Sequence, residues 1–188
     1  LERYLTDVGS NLFQQKIAEG LMKSVIEAGK IAIDDPTNYE ARANLMWAST
    51  QALNGLTSAG KGGAWTCHPI EHELSAFYDI THGVGLAIVT PRWMRYILSD
   101  ATVEKFAEYA RNVWDIAEED NWKAANYGID ATEEFFRDCG IPMKLSEVGI
   151  DETHFEAMAE DAVKFGGLSY AYVALDKKDV MEILRMSL

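Results

Sequence analysis

An all-α fold is predicted from three observations. Apolar residues recur at spacings of three and four along most of the chain. Strand-type alternation never extends beyond a few residues. Capping and breaking residues divide the chain into segments of helical length. Together they predict about eight helices in one domain over residues 1–188.

The first helix carries Leu12, Phe13, Ile17, Leu21, Val25 and Ile26 on one face. Asn11 with Gln14 caps its start, and Asp34-Asp35-Pro36 stops it near Ile33. Thr37-Asn38-Tyr39-Glu40 reads as a capping box, Thr37 accepting from the Glu40 amide and Glu40 reaching back to the Thr37 amide. The helix it opens passes Leu45, Trp47, Ala48 and Ala52 and ends at Asn54-Gly55. Ala41, Ala43, Ala48 and Ala52 let a neighbouring helix approach closely. Gly60-Lys61-Gly62-Gly63 is a flexible loop without the spacing or the Lys-Ser/Thr ending of a phosphate-binding loop. A short helix is predicted to start at Pro69, with His68 at its cap and His72 about one turn in. Another runs from about His82 to Pro91. Val103, Phe106, Ala107, Ala110, Val113 and Trp114 form one amphipathic helix. Trp122 to Phe136 form the next, stopped by Cys139-Gly140-Ile141-Pro142. Asp151 caps a helix with Phe155, Met158, Ala159 and Ala162 that ends at Gly166-Gly167. Asp176 caps the last, with Val180, Ile183 and Leu184.

The 188 residues carry 30 acidic and 17 basic side chains, a net charge of −13. That balance disfavours nucleic acid, because neutralising phosphates needs a basic face. It equally disfavours an anionic membrane surface. The longest uncharged stretch, Ala43 to Gly60, contains Asn44, Ser49, Thr50, Gln51 and Asn54, and reads as a buried helix and loop rather than a membrane span. Five Trp, eight Tyr and seven Phe exclude a disordered chain. No signal peptide is visible. Cys67 and Cys139 have no metal-type pairing and read as reduced thiols, small buried hydrophobes of a cytoplasmic protein. The first residue is Leu, which predicts that the chain is processed or a piece of something longer.

The chemistry concentrates in Trp65-Thr66-Cys67-His68-Pro69-Ile70-Glu71-His72-Glu73-Leu74 and Asp79-Ile80-Thr81-His82-Gly83. Clustered imidazoles are a common way to hold zinc or iron. His68 and His72 are four apart, but the order His-Pro-Ile-Glu-His does not meet the metalloprotease motif, in which the Glu follows the first His. Spacing alone leaves a second reading open, histidines that cap helices and bond to backbone. His154 lies in an acidic first turn and reads as a solvated surface residue.

His68-x3-His72-x9-His82-Gly83 resembles the histidine motif of the iron-containing (group III) alcohol dehydrogenases. The flanks agree: Glu40-Ala41-Arg42-Ala43-Asn44-Leu45-Met46-Trp47-Ala48, Ala52-Leu53-Asn54-Gly55-Leu56 and His72-Glu73-Leu74-Ser75-Ala76. So does the final Leu175-Asp176-Lys177-Lys178-Asp179-Val180-Met181-Glu182-Ile183-Leu184. The resemblance spans nearly the whole chain and is nearest to the NAD(P)H-dependent butanol dehydrogenases. It implies the multi-helix C-terminal domain of the dehydroquinate synthase-like, iron-containing alcohol dehydrogenase type, the N-terminal cofactor-binding α/β domain being absent.

The resemblance further implies a divalent metal, Fe or Zn, with His68 and His82 as two of its ligands. The family's earlier Asp and His ligands fall before residue 1, Glu2 and Tyr4 matching the end of the family's H-x-x-E-x-Y stretch. His72 is not a ligand in that pattern. It is assigned to the catalytic neighbourhood, as a relay or support beside the substrate pocket, with a structural role equally open. Trp65 is a candidate for the wall of an apolar substrate channel. NAD(P) is expected to bind mainly to the missing domain. The expected partners are a small alcohol or aldehyde and a second copy in a homodimer, and the isolated chain is expected to fold without turnover. Two other readings are retained: a non-enzymatic acidic helical interaction domain, and a helical metallohydrolase using Glu71 or Glu73 as base.

Overall fold

The computed structural model describes residues 1–5, 11–61 and 64–188. Among the described residues there are eight α-helices and no strand. They are α1 (Leu12–Asp34), α2 (Tyr39–Leu53), α3 (Cys67–Tyr78), α4 (His82–Ile97), α5 (Val103–Trp114), α6 (Asn121–Asp138), α7 (Phe155–Gly166) and α8 (Lys177–Met186). Single 3₁₀ turns occupy Leu145–Val148, Glu152–His154 and Leu168–Tyr170. Part of the predicted loop, Gly62-Gly63, lies outside the described residues.

The apolar spacing explains who packs on whom. α3, α4, α8 and α7 close a ring of packed neighbours, α4 also leaning on α6. Its interior is filled by Ile70 and Leu74 of α3, Ile88, Trp93 and Met94 of α4, Phe155 and Met158 of α7, and Ile183 and Leu184 of α8, all buried. Complete burial of such side chains contributes about 1.5–3 kcal/mol each, which fixes α3 and α4 and whatever they carry. Outward from this ring α5 packs on α6, α1 on α5, and α2 on α1. The first residues join the same core: Tyr4 and Leu5 are buried, and the Tyr4 hydroxyl donates to Glu19 Oε1 at 3.0 Å.

Several local expectations hold. Asn11 Oδ1 accepts from the Gln14 amide at 3.2 Å, capping α1. Asp176 forms a capping box with Asp179 at the start of α8. The Asp151 expectation is corrected: its side chain accepts from the Thr153 amide, so it caps the 3₁₀ turn that leads into α7 rather than α7 itself. Cys67 and Cys139 are free, Cys67 buried and Cys139 half-buried, and burial pushes both thiols upward.

Four further expectations are corrected. Thr37 does not cap α2, because its amide and hydroxyl are both taken by Asp35 Oδ1. Asn38 caps instead, accepting from the Ala41 amide at 3.0 Å. The uncharged stretch is not a buried helix: α2 buries only Ala41 and Ala48, while Met46 and Trp47 are 73% and 67% exposed. Pro91 does not end α4, which continues to Ile97 because Trp93, Met94 and Ile97 are buried beyond it. Pro91 has no N–H to donate back into the preceding turn, and beside it Thr90 Oγ1 donates to the Leu86 carbonyl at 2.6 Å. Finally, α3 starts at Cys67, two residues before Pro69. Proline is tolerated there because first-turn N–H groups have no intrahelical acceptor. His68 is therefore a helical residue and not the cap.

Candidate metal centre

α3 sets His68 and His72 one turn apart, and α4 begins at His82. Between them Asp79 ends α3 in the left-handed region, at φ 53°, where Asp is among the few residues that sit without a large penalty. Ser75 Oγ lies 3.2 Å from the Ile80 carbonyl across this turn. The turn folds α4 back so that three imidazoles meet. Ring centroids are 5.3 Å apart for His68 and His82, 5.6 Å for His72 and His82, and 6.1 Å for His68 and His72. The three histidines singled out in the sequence are thus brought together. His154 is exposed and sits 5.1 Å from the Phe77 ring.

Two carboxylates hold two of these rings. Glu2 Oε1 lies 2.6 Å from His68 Nδ1. Its other oxygen accepts from the amides of Thr66 at 2.6 Å and Cys67 at 2.7 Å. Those are orphan donors at the start of α3, and an anion is favoured there by the helix dipole. Burial opposes the Glu2 charge, but the His68 contact and the two backbone donors outweigh it and hold the carboxyl below its ordinary range. Glu71, completely buried, contacts His82 Nδ1 through Oε2 and accepts from Ser75 Oγ through Oε1 at 2.6 Å. A carboxylate on Nδ1 places the ring proton there and leaves Nε2 as the lone-pair donor.

This donor set fits a divalent ion. Imidazole nitrogen suits Zn and Fe alike, and His68 and His82 present Nε2 from two rigidly packed helices. The ligand atoms of Glu71, His72 and His82 also lie within 4.8 Å of one another. Both Glu71 oxygens are already engaged, so it holds His82 in place and is no independent ligand. For the same reason Glu71 does not serve as a metallohydrolase base.

Beside the histidines lies a cavity of about 400 Å³, its walls including Trp65, His68, Pro69, His72, Glu73 and Phe165. The Trp65 ring lies tilted against His68, centroids 4.5 Å apart, and the Arg3 guanidinium covers Trp65 at 4.6 Å. Glu73 is raised above its ordinary value, by burial first and by the Asp161 charge second. Glu2 and Glu71 as imidazole partners escaped sequence reasoning: Glu71 lies eleven positions from His82 and Glu2 sixty-six from His68, so no local pattern links them. The wall from α7 escaped it for the same reason.

Residues 1–188 match the Fe-containing alcohol dehydrogenase family, C-terminal. NADH-dependent butanol dehydrogenase A of Clostridium acetobutylicum is 50% identical over 188 residues, 99% of this chain and 48% of that protein. NADPH-dependent aldehyde reductase YqhD of Escherichia coli is 38% identical over 88% of this chain and 43% of its own length. The substrate- and cofactor-free structure of E. coli aldehyde reductase YqhD superposes with a TM-score of 0.91 at 33% identity, covering 100% of this chain and 49% of that one. The NADH-dependent butanol dehydrogenase A structure from Thermotoga maritima gives a TM-score of 0.89 at 34% identity, covering 98% of this chain and 48% of that one. The chain spans about half the length of the curated relatives it matches.

Proposed function

The chain belongs to the Fe-containing alcohol dehydrogenase family, and we propose that it is the metal-holding helical half of an NAD(P)-linked oxidoreductase that interconverts small alcohols and aldehydes. The observation that carries the reading is the convergence of His68 and His82, each with Nδ1 engaged by a buried glutamate. A divalent ion, Fe or Zn, would be held by His68, His82 and ligands from an N-terminal half and would supply Lewis acidity toward the substrate oxygen, while NAD(P)H, carried mainly by that half, would supply hydride to an aldehyde and NAD(P)⁺ would accept it from an alcohol.

This chain's own residues do the rest. His68 and His82 present nitrogen donors from fixed helices. His72, exposed beside both rings and on the cavity wall, holds a proton at its imidazole within reach of the pocket and of water. Trp65 and Phe165 give the cavity an apolar side that suits a short alkyl chain. The reading as a non-enzymatic interaction domain draws on the exposed apolar residues of α2, and it leaves the histidine cluster unexplained.

The test compares two proteins: this chain alone, and the chain joined to an N-terminal half like that of its relatives. The longer protein should hold about one divalent ion and oxidise NADH or NADPH with butanal. His68→Ala and His82→Ala should abolish both properties, and the 188-residue chain alone should show no turnover. A longer protein that is metal-free yet active, and indifferent to His68→Ala, defeats the reading.

A further inference from the structure

We propose that Glu71 and Gly85 form a positioning device for His82, so that the affinity of the metal centre is set by a buried α3–α4 contact outside the ligand set. The proposal rests on the reading of His82 as a ligand.

Glu71 is completely buried, an expensive place for a carboxylate unless each oxygen finds a donor. Here each does: His82 Nδ1 on one side and Ser75 Oγ on the other. The arrangement leaves His82 half exposed, free on its Nε2 side, while its opposite edge is anchored in the core. Ser75 lies four residues after Glu71 on α3. Its hydroxyl oxygen also lies 3.2 Å from the Ile80 carbonyl in the turn before α4, so the anchor sits against the segment that aims His82.

Gly85 makes room for this anchor. It follows His82 by three positions on α4, on the same helix face. A Cβ there would lie 2.7 Å from Glu71 Cγ and 2.9 Å from Oε1. Any other residue at position 85 would drive the carboxylate out of its place. Gly85 takes no left-handed φ, so turn geometry does not require a glycine. The space that Glu71 occupies does.

A carboxylate on Nδ1 raises the basicity of the ring and fixes its orientation, and loss of such a partner typically weakens metal binding about 10- to 100-fold. In the protein joined to its N-terminal half, Co²⁺ affinity is measured by chelator competition alongside the Co²⁺ absorption bands. Glu71→Gln, which keeps the shape and the Ser75 contact, should weaken Co²⁺ about tenfold and leave the band positions unchanged. Glu71→Ala should weaken it further. Gly85→Ala should weaken binding about tenfold in the native background, yet add nothing in the Glu71→Ala background, since the atoms it displaces are gone. NADH binding and the denaturation midpoint, followed in parallel, confirm that the variants are folded. Unchanged Co²⁺ affinity in Glu71→Gln overturns the proposal, as do additive effects of the two substitutions. A shift of the bands in Glu71→Gln would mark Glu71 as a ligand and also overturn it. If His82→Ala abolishes binding in the same assay while Glu71→Gln does nothing, the positioning role fails alone. If His82→Ala has no effect, the functional reading fails with it.

Discussion

Glu2 reaches across sixty-six positions to His68, with Oε1 2.6 Å from Nδ1 and Oε2 on the first amides of α3. One side chain therefore both caps the helix and orients the imidazole it carries. Glu2→Ala removes the side-chain acceptor of two backbone amides and the imidazole partner together. Loss of a cap costs about 1 kcal/mol, and stranding buried donors about 1–3 kcal/mol. A loss of roughly 2 kcal/mol in chemical denaturation is expected. Glu2→Gln should recover most of this, since its carbonyl still accepts from the amides. Equal losses for the two variants would show that the cap contributes nothing.

The fit of α3 against α7 depends on Gly166. A Cβ there would sit 2.4 Å from Pro69 Cβ and 2.8 Å from Cγ, and the rigid ring next to His68 cannot swing aside. Gly166→Ala should cost about 1–3 kcal/mol through overpacking, only partly offset by a helix-propensity gain of at most about 1 kcal/mol. Because the strain falls on the first turn of α3, the metal-loaded protein should also lose affinity for its ion. Stability and affinity measured on one preparation check both. A variant as stable as the parent means that α3 moves freely on α7, against the packing described here.

Acid should weaken the Glu19 junction. Glu19 Oε1 accepts from Tyr4 at 3.0 Å, Gln15 at 3.2 Å and Asn112 at 2.9 Å, and Oε2 from Lys16 at 2.7 Å. Burial works against the charge, but these donors, Lys16 foremost, bring the carboxyl below its ordinary value of 4.5. A depressed folded value means that the stabilisation is full above about 4.5 and is lost as the pH falls through the folded value. Glu19→Gln should therefore be less stable than the parent at pH 7, with the gap closing as the pH drops below that range. Denaturation midpoints of the two proteins against pH give the answer, and a constant gap contradicts it.

What was legible in the sequence is what depends on neighbours along the chain. Asn11 and Asp176 cap as expected because their acceptors meet amides two or three residues away. The periodic apolar faces of α5, α7 and α8 appear where the spacing put them. Thr37 failed because two local solutions compete, and Asp35 took its amide and hydroxyl first. Pro91 misled because burial of Trp93 and Met94 outweighs one missing helical bond. The histidines were found by composition, yet the groups that aim them depend on the register of α3 against α4 and on residues 1–5 folding into the core. Neither leaves a mark on local spacing.

α2 packs mainly on α1 and buries only Ala41 and Ala48, whereas α4 buries nine residues, Trp93 and Met94 among them. An element with so little fully buried surface has little to lose on opening. α2 should therefore exchange its amides through local opening, with protection at least about 100-fold below that of α4. The Gln14 side chain ties α1 to the loop after α2, donating to the carbonyls of Leu56 at 3.0 Å and Ala59 at 2.7 Å. Gln14→Ala should lower protection at the end of α2 without changing that of α4. Hydrogen exchange read by mass spectrometry on peptides from each helix separates the two. Equal protection of α2 and α4 would mean that the outer pair opens only with the whole chain, and that burial on α1 is not what limits it.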